Sequence, residues 1–242
     1  MKALLRTTGF AMAFIFAINL SAQEFSLGIK TGVQAANVKV PGFISDINAI
    51  PDFRSITAVN VGVVSEIGFN EHFAVQPELN YTQKGFQIKE DFGLNLFDLP
   101  LPLGVTAISK FHYLEMPLLA KAKFGNETAN FYLLAGPTIG YAMSGNLITR
   151  ARVLVEVDLF NTPINLDAVG YNRWEIGGMA GAGVSFNVGN GNQLFLDARY
   201  SHGFSQAYDI PVVRERVRHN SVGVNVGFMM PIGKRKVAAP RA

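Results

Sequence analysis

From Phe25 onward the chain alternates apolar and polar or small residues with a period of two. In FSLGIKTGV the set Phe25, Leu27, Ile29, Thr31 and Val33 interleaves with Ser26, Gly28, Lys30 and Gly32. VNVGVVSEIGF sets Val59, Val61, Val63, Ile67 and Phe69 against Asn60, Gly62, Glu66 and Gly68. Phe73, Val75, Pro77, Leu79 and Tyr81 then alternate with Ala74, Gln76, Glu78 and Asn80. The segments LEMPLLAKAKF, NFYLLAGPTIGY, WEIGGMAGAGVSFNV, LFLDARY and SVGVNVGF repeat the pattern, which makes eight segments in all. Successive strand residues point to opposite faces, so each segment predicts a strand with one apolar and one polar or small face.

The connections sort the strands into pairs. NEH, GNETAN and GNGN are short and turn-forming, whereas the others run over 36–57, 85–110, 143–172 and 205–219. Short and long connections alternate, the signature of an up-and-down outer-membrane barrel with tight periplasmic turns and longer outer loops. Phenylalanines of the apolar sets gather at the short-turn ends, and Tyr81, Tyr141, Trp174 and Tyr200 at the long-loop ends. Two aromatic rings on one face describe the girdles of a membrane barrel. From Phe131 to Tyr141 is about 25 Å along the membrane normal at roughly 3.3 Å per residue and 40° of tilt. The predicted fold is therefore all-β: an eight-stranded antiparallel up-and-down transmembrane β-barrel. Ten membrane strands are the alternative, because LITRARVLVEVDLF continues the alternation inside the loop 143–172. That hairpin and the apolar, proline-punctuated loop 85–110 are expected to pack on each other above the membrane, and they are the expected surface for a protein partner.

Composition sharpens this picture. Only 16% of the 242 residues are charged, against about 25% in soluble domains. The formal charge of +3 forms no block suited to nucleic acid, and cysteine is absent. Lys2 and Arg6, the apolar run Phe10 to Leu20 and the small residues of SAQ read as a cleaved signal peptide over 1–22. A barrel over 23–233 and a short basic periplasmic tail over 234–242 follow, in the outer membrane of a Gram-negative bacterium.

With the apolar sets facing lipid, the lumen receives Lys30, Glu66, Glu78, Glu115, Lys121, Lys123, Glu175, Asp197 and Arg199. Five acids and four bases in a narrow barrel are expected to pair and block the axis, with Lys30 and Lys123 at the wet ends. Arg214, Arg216 and Arg218 share one face, in register with Val222 and Val224, and are expected to meet lipopolysaccharide phosphates just above the apolar band. His219 with Ser221, and His202 with Ser201 and Ser205, are the spacings nearest to a base and nucleophile, but no carboxylate stands ready to orient either histidine. No catalytic residue, metal site, phosphate loop or cofactor is expected.

FHYLEMPLLAKAKFG, FYLLAGPTIGYAMSG, MAGAGVSF, LFLDARYSHGF and SVGVNVGF together resemble the PorT-like outer-membrane β-barrel proteins of the Bacteroidetes type. The resemblance spans roughly Glu24 to Gly233 and implies an eight-stranded outer-membrane barrel, with little implied about activity. Such barrels commonly end on an aromatic residue, whereas this chain continues through MMPIGKRKVAAPRA.

Overall fold

The computed structural model describes residues 24–39, 53–96, 99–126, 128–153, 155–206 and 218–232. The segment 1–22 expected to be a signal peptide, the tail over 234–242, Arg214 and Arg216 lie outside them.

The strands are β1 (Glu24–Lys39), β2 (Phe53–Arg54), β3 (Ile56–Gly68), β4 (Phe73–Leu96), β5 (Leu99–Gly125), β6 (Ala129–Val153), β7 (Val155–Ile164), β8 (Trp174–Asn187), β9 (Gln193–Gly203) and β10 (Arg218–Pro231). Eight of them close a ring in the order β4-β3-β1-β10-β9-β8-β6-β5, with β4 pairing β5 to complete it. Every pairing is antiparallel. The remaining two strands do not enlarge the barrel: β2 lies on the edge of β4, and β7 pairs with β6. The barrel is thus eight-stranded, not ten-stranded.

The three short turns are built by asparagines. Asn70 Oδ1 accepts from the amides of His72 and Phe73, and Asn126 Oδ1 from those of Thr128 and Ala129. Between β8 and β9, Gly189, Asn190 and Gly191 all take positive φ, at 99°, 54° and 79°. Only glycine and asparagine enter that region readily, so GNGN fixes the hairpin.

Alternation decides which face is covered. Along β9, Leu194, Leu196 and Tyr200 are exposed, while Phe195, Asp197 and Arg199 between them are buried. Ile29, Val61, Leu118, Ile176, Val222 and Val224 likewise stand exposed. In water such a surface would be severely unfavourable; in hydrocarbon it is solvated.

The expected loops over 85–110 and 143–172 are largely strand. β4, β5 and β6 have 24, 27 and 25 residues, where about ten suffice to span the apolar band. β4 and β5 pair without interruption of the ladder from Gly85↔Lys110 to Leu96↔Leu99. The period-two pattern did not stop at the membrane, and neither does the sheet. Gly85 takes a φ of 149°, and a Cβ there would collide with the Ser109 carbonyl oxygen, so the close approach of β4 to β5 at this point requires glycine. Phe111 and Ile108 of β5 are both buried, although a regular strand would turn them to opposite faces.

Candidate functional site

Three ionic layers fill the lumen. At the short-turn end Glu66 accepts from Lys121 Nζ at 2.7 Å and Lys123 Nζ at 2.9 Å. Lys121 also lies over the Tyr132 ring, 4.1 Å from its centroid. In the middle, Glu78 meets Lys30 at 2.6 Å and Arg199 at 2.9 Å, and accepts from Gln76 and Asn80. Arg199 reaches Asp197 through both Nε and Nη2, each at 2.7 Å. Asp197 also accepts from Tyr132 Oη and Asn225 Nδ2. Toward the outer end Lys84 bridges Glu115 at 2.8 Å and Glu175 at 2.5 Å, with the Tyr113 ring beside it.

The geometry follows from the pleat. Glu78 sits on β4 and Arg199 on β9, strands that are not neighbours, so their bond crosses the barrel. Asp197 and Arg199 are two apart on β9, which turns both inward and lets the fork close on its neighbour. Glycines opposite give the room: a Cβ on Gly183 would lie 2.6 Å from Asp197 Cβ and from Tyr132 Cζ.

All nine charged residues assigned to the lumen point into it. Lys30 and Lys123 are not left at wet ends: each is paired, and Lys123 retains only 12% side-chain exposure. A tenth residue, Lys84, joins them, because β4 runs on past Tyr81 instead of ending at the aromatic ring. The signal was present, since Gln76, Glu78, Asn80, Thr82 and Lys84 keep one parity. Lys84 supplies the fifth cation against the five carboxylates. By layer, two cations face one acid at the short-turn end, two face two in the middle, and one faces two toward the outer end.

Apolar packing closes what the ions leave open. Val64, Leu119, Tyr132, Leu134, Phe195 and Met229 form one cluster in the interior. Phe111, Tyr113, Ala142, Leu166 and Tyr171 cap the outer end, and Ala36, Ile56, Ala58 and Ile108 form a third group with Ile148 against it. Leu166 and Tyr171 come from the segment between β7 and β8, which turns back over the mouth. Tyr171 Oη hydrogen-bonds with Tyr113 Oη at 2.6 Å and with His219 Nε2 at 2.9 Å, and its ring stacks on Phe111. Asn165 Oδ1 starts that turn by accepting from the amides of Asp167 and Ala168. Arg173 then grips Asp167 with Nε and Nη2, which holds the exposed Asp167 carboxyl below its usual range.

The histidine and serine spacings do not assemble a nucleophile. His219 bonds with Tyr171, whereas Ser221 Oγ bonds with Ser201 Oγ at 2.7 Å and donates to Gln34. Ser205 Oγ accepts from the Ile176 amide, His202 stacks on Tyr200, and His112 Nδ1 bonds with Tyr81 Oη. Among the described residues no three histidines or carboxylates gather as metal ligands. Of the three arginines expected near lipid phosphates, Arg218 lies on β10, in the parity of Val222 and Val224.

A family model for the outer membrane protein beta-barrel domain matches residues 21–209. The chain belongs to that family. Solved structures similar to it include the attachment invasion locus protein Ail of Yersinia pestis, 16% identical, covering 86% of this chain and 99% of that one with a TM-score of 0.37. OprG from Pseudomonas aeruginosa is 11% identical over 88% of this chain and 98% of its own, with a TM-score of 0.45. Neisserial surface protein A is 12% identical over 83% and 95%, with a TM-score of 0.37. No curated protein matches the chain. Membership puts this barrel in the outer membrane, with Val222, Ile176 and their neighbours against lipid.

Proposed function

We propose that this chain is a non-enzymatic outer-membrane barrel whose lumen stays shut and whose working surface is the sheet carried above the membrane by β4, β5, β6 and β7. The observation that carries this reading is the buried network of five carboxylates and five cations, capped by Leu166 and Tyr171. A solute crossing the lumen would have to part buried ion pairs, each worth about 3–5 kcal/mol when one partner is lost. The sheet above is the accessible part. Val157, Leu159 and Phe160 on β7 are 52%, 50% and 67% exposed. β7 pairs with β6 alone among the described strands, so its other edge offers unpaired backbone groups. An apolar strand edge of this kind suits an extended segment of an envelope protein adding as one more strand. A role as accessory component of a secretion or transport apparatus, in keeping with the PorT-like resemblance, is one that such an edge would serve.

In this reading the chain is exported behind the leader 1–22 and cleaved, the barrel spans 23–233, and the tail 234–242 stays in the periplasm with the short turns. Photo-crosslinking amino acids at Phe160 and, as a control, at Val224 test it in intact cells. A discrete protein adduct at 160 and only lipid at 224 is expected. No protein adduct at 160 would overturn the display role.

A further inference from the structure

β9 and β10 carry a polar patch directly above the apolar band. Arg218, Asn220, Val222 and Val224 share one parity of β10, and Val222 and Val224 are 58% and 49% exposed on the lipid side. Across the ladder Val222 pairs with Tyr200, and Asn220 pairs with His202. On the other flank Asn220 pairs with Asn37 of β1, and Arg218 with Lys39. The patch therefore begins one residue pair beyond the last lipid-facing pair. His202 is fixed by stacking on Tyr200 at 6.4 Å and by an edge contact with Phe204 at 5.7 Å.

Three buried polar atoms in this patch have no hydrogen-bond partner: Arg218 Nε, His202 Nδ1 and Asn220 Oδ1. The four other such atoms among the described residues belong to Asn60, Gln76, Asn80 and His219, all inward-facing. Unmet hydrogen-bonding capacity on the outer wall is thus gathered at one place. Its chemistry is mixed, because Arg218 and His202 can donate to an anion's oxygens while the Asn220 carbonyl needs a hydroxyl or amide donor. No carboxylate occurs among the described residues of β1, β9 and β10 above Tyr200 and Val222 to compete for the cation. A phosphorylated sugar lipid of the outer leaflet offers phosphate oxygens, hydroxyl donors and acyl chains at this height, with more phosphates and hydroxyls than the single phosphate and two hydroxyls of a phosphatidylglycerol head.

We propose that Arg218, His202 and Asn220 form a headgroup site for a phosphorylated glycolipid, with its acyl chains lying along Tyr200, Val222 and Val224. The proposal rests on the orientation given above, with the long strands outward, but not on the partner assigned to β7.

Native mass spectrometry of the purified full chain, released from detergent after titration, reads the site. The probes are bisphosphoryl lipid A, its dephosphorylated form and phosphatidylglycerol, each with and without millimolar inorganic phosphate. Bisphosphoryl lipid A is expected to be retained. Dephosphorylation, or the pair Arg218→Gln with Asn220→Ala, is expected to weaken retention about tenfold, the scale of one charge-assisted contact. Arg218→Lys, keeping the charge, is expected to lie between. Heat-dependent gel mobility confirms that each variant is folded. Equal retention by variant and parent, equal binding of phosphatidylglycerol, or displacement by inorganic phosphate would each overturn the proposal. Crosslinking at Phe160 is independent of all these outcomes, so the two readings fail separately.

Discussion

Lys84→Met removes a cation while keeping most of the side-chain length. In the native barrel the ammonium lies 2.8 Å from Glu115 and 2.5 Å from Glu175, with all three side chains no more than 6% exposed. The variant leaves two carboxylates facing each other with no counter-charge from β4. Breaking a buried pair by deleting one partner costs about 3–5 kcal/mol. A second route gives a similar size: a stripped carboxylate can bind a proton instead, which from the ordinary carboxyl value near 4.3 costs about 3.7 kcal/mol at pH 7. Because that route consumes a proton, the same reasoning gives a loss of only about 1 kcal/mol at pH 5. Urea unfolding in lipid vesicles, followed by heat-dependent gel mobility and by the fluorescence of the single tryptophan, Trp174, measures both values. Adding Glu115→Gln and Glu175→Gln to Lys84→Met should recover most of the loss, since replacing all the charges at once strands none of them. A single variant within about 0.5 kcal/mol of the parent at pH 7, the range of ordinary surface changes, would refute the reasoning. So would a triple variant no more stable than the single one.

Further outcomes follow from the same packing. Gly183→Val should lose about 1–3 kcal/mol in the urea assay by overpacking, because its Cβ would sit 2.6 Å from Tyr132 Cζ and from the Leu196 carbonyl. Gly68→Ala, whose Cβ meets only Glu24 at 3.6 and 3.7 Å, should change stability by about 0.5 kcal/mol or less. Leu166→Ala should weaken the outer cap by about 2–5 kcal/mol, seen as faster protease cutting within 165–173 while the membrane strands stay resistant. The Asp167 carboxyl is depressed by its hydrogen bonds from Arg173, so its support of the turn is complete above the ordinary carboxylate range. That support fades as pH falls through the lowered value, and protease cutting of the turn should accelerate there in the parent but not in Arg173→Gln.

The period of two made most of the fold legible. Asp197 and Arg199, two apart between Leu196, Ala198 and Tyr200, already implied a lumen-facing pair, and they form one. Charges on separate strands gave no such hint. That Glu78 meets Arg199 and Glu66 meets Lys121 depends on the register between strands, which alternation does not encode. Lys84 lies beyond Tyr81, where a strand just long enough to cross the apolar band would end, and only the continued alternation points to it. Prolines misled in the same direction: Pro100 and Pro102 suggested a loop where β5 runs through. The cap was not legible. Leu166 and Tyr171 lie in a turn without periodicity, and only the closed ring shows that the segment lands on Phe111 and Tyr113. The spacing of His219 and Ser221 puts both on one face of β10, where both are buried, but only the neighbouring strands reveal that each bonds elsewhere.

The central claim is that ion pairs and packed side chains close the axis of this barrel. Planar-bilayer recording of the purified full chain, inserted at high protein-to-lipid ratio in molar potassium chloride, tests it most directly. A flat trace across applied voltages of either sign is the expected result. Reproducible unitary current steps from the unmodified chain would contradict a lumen sealed by Glu66, Glu78, Asp197, Arg199 and Lys84.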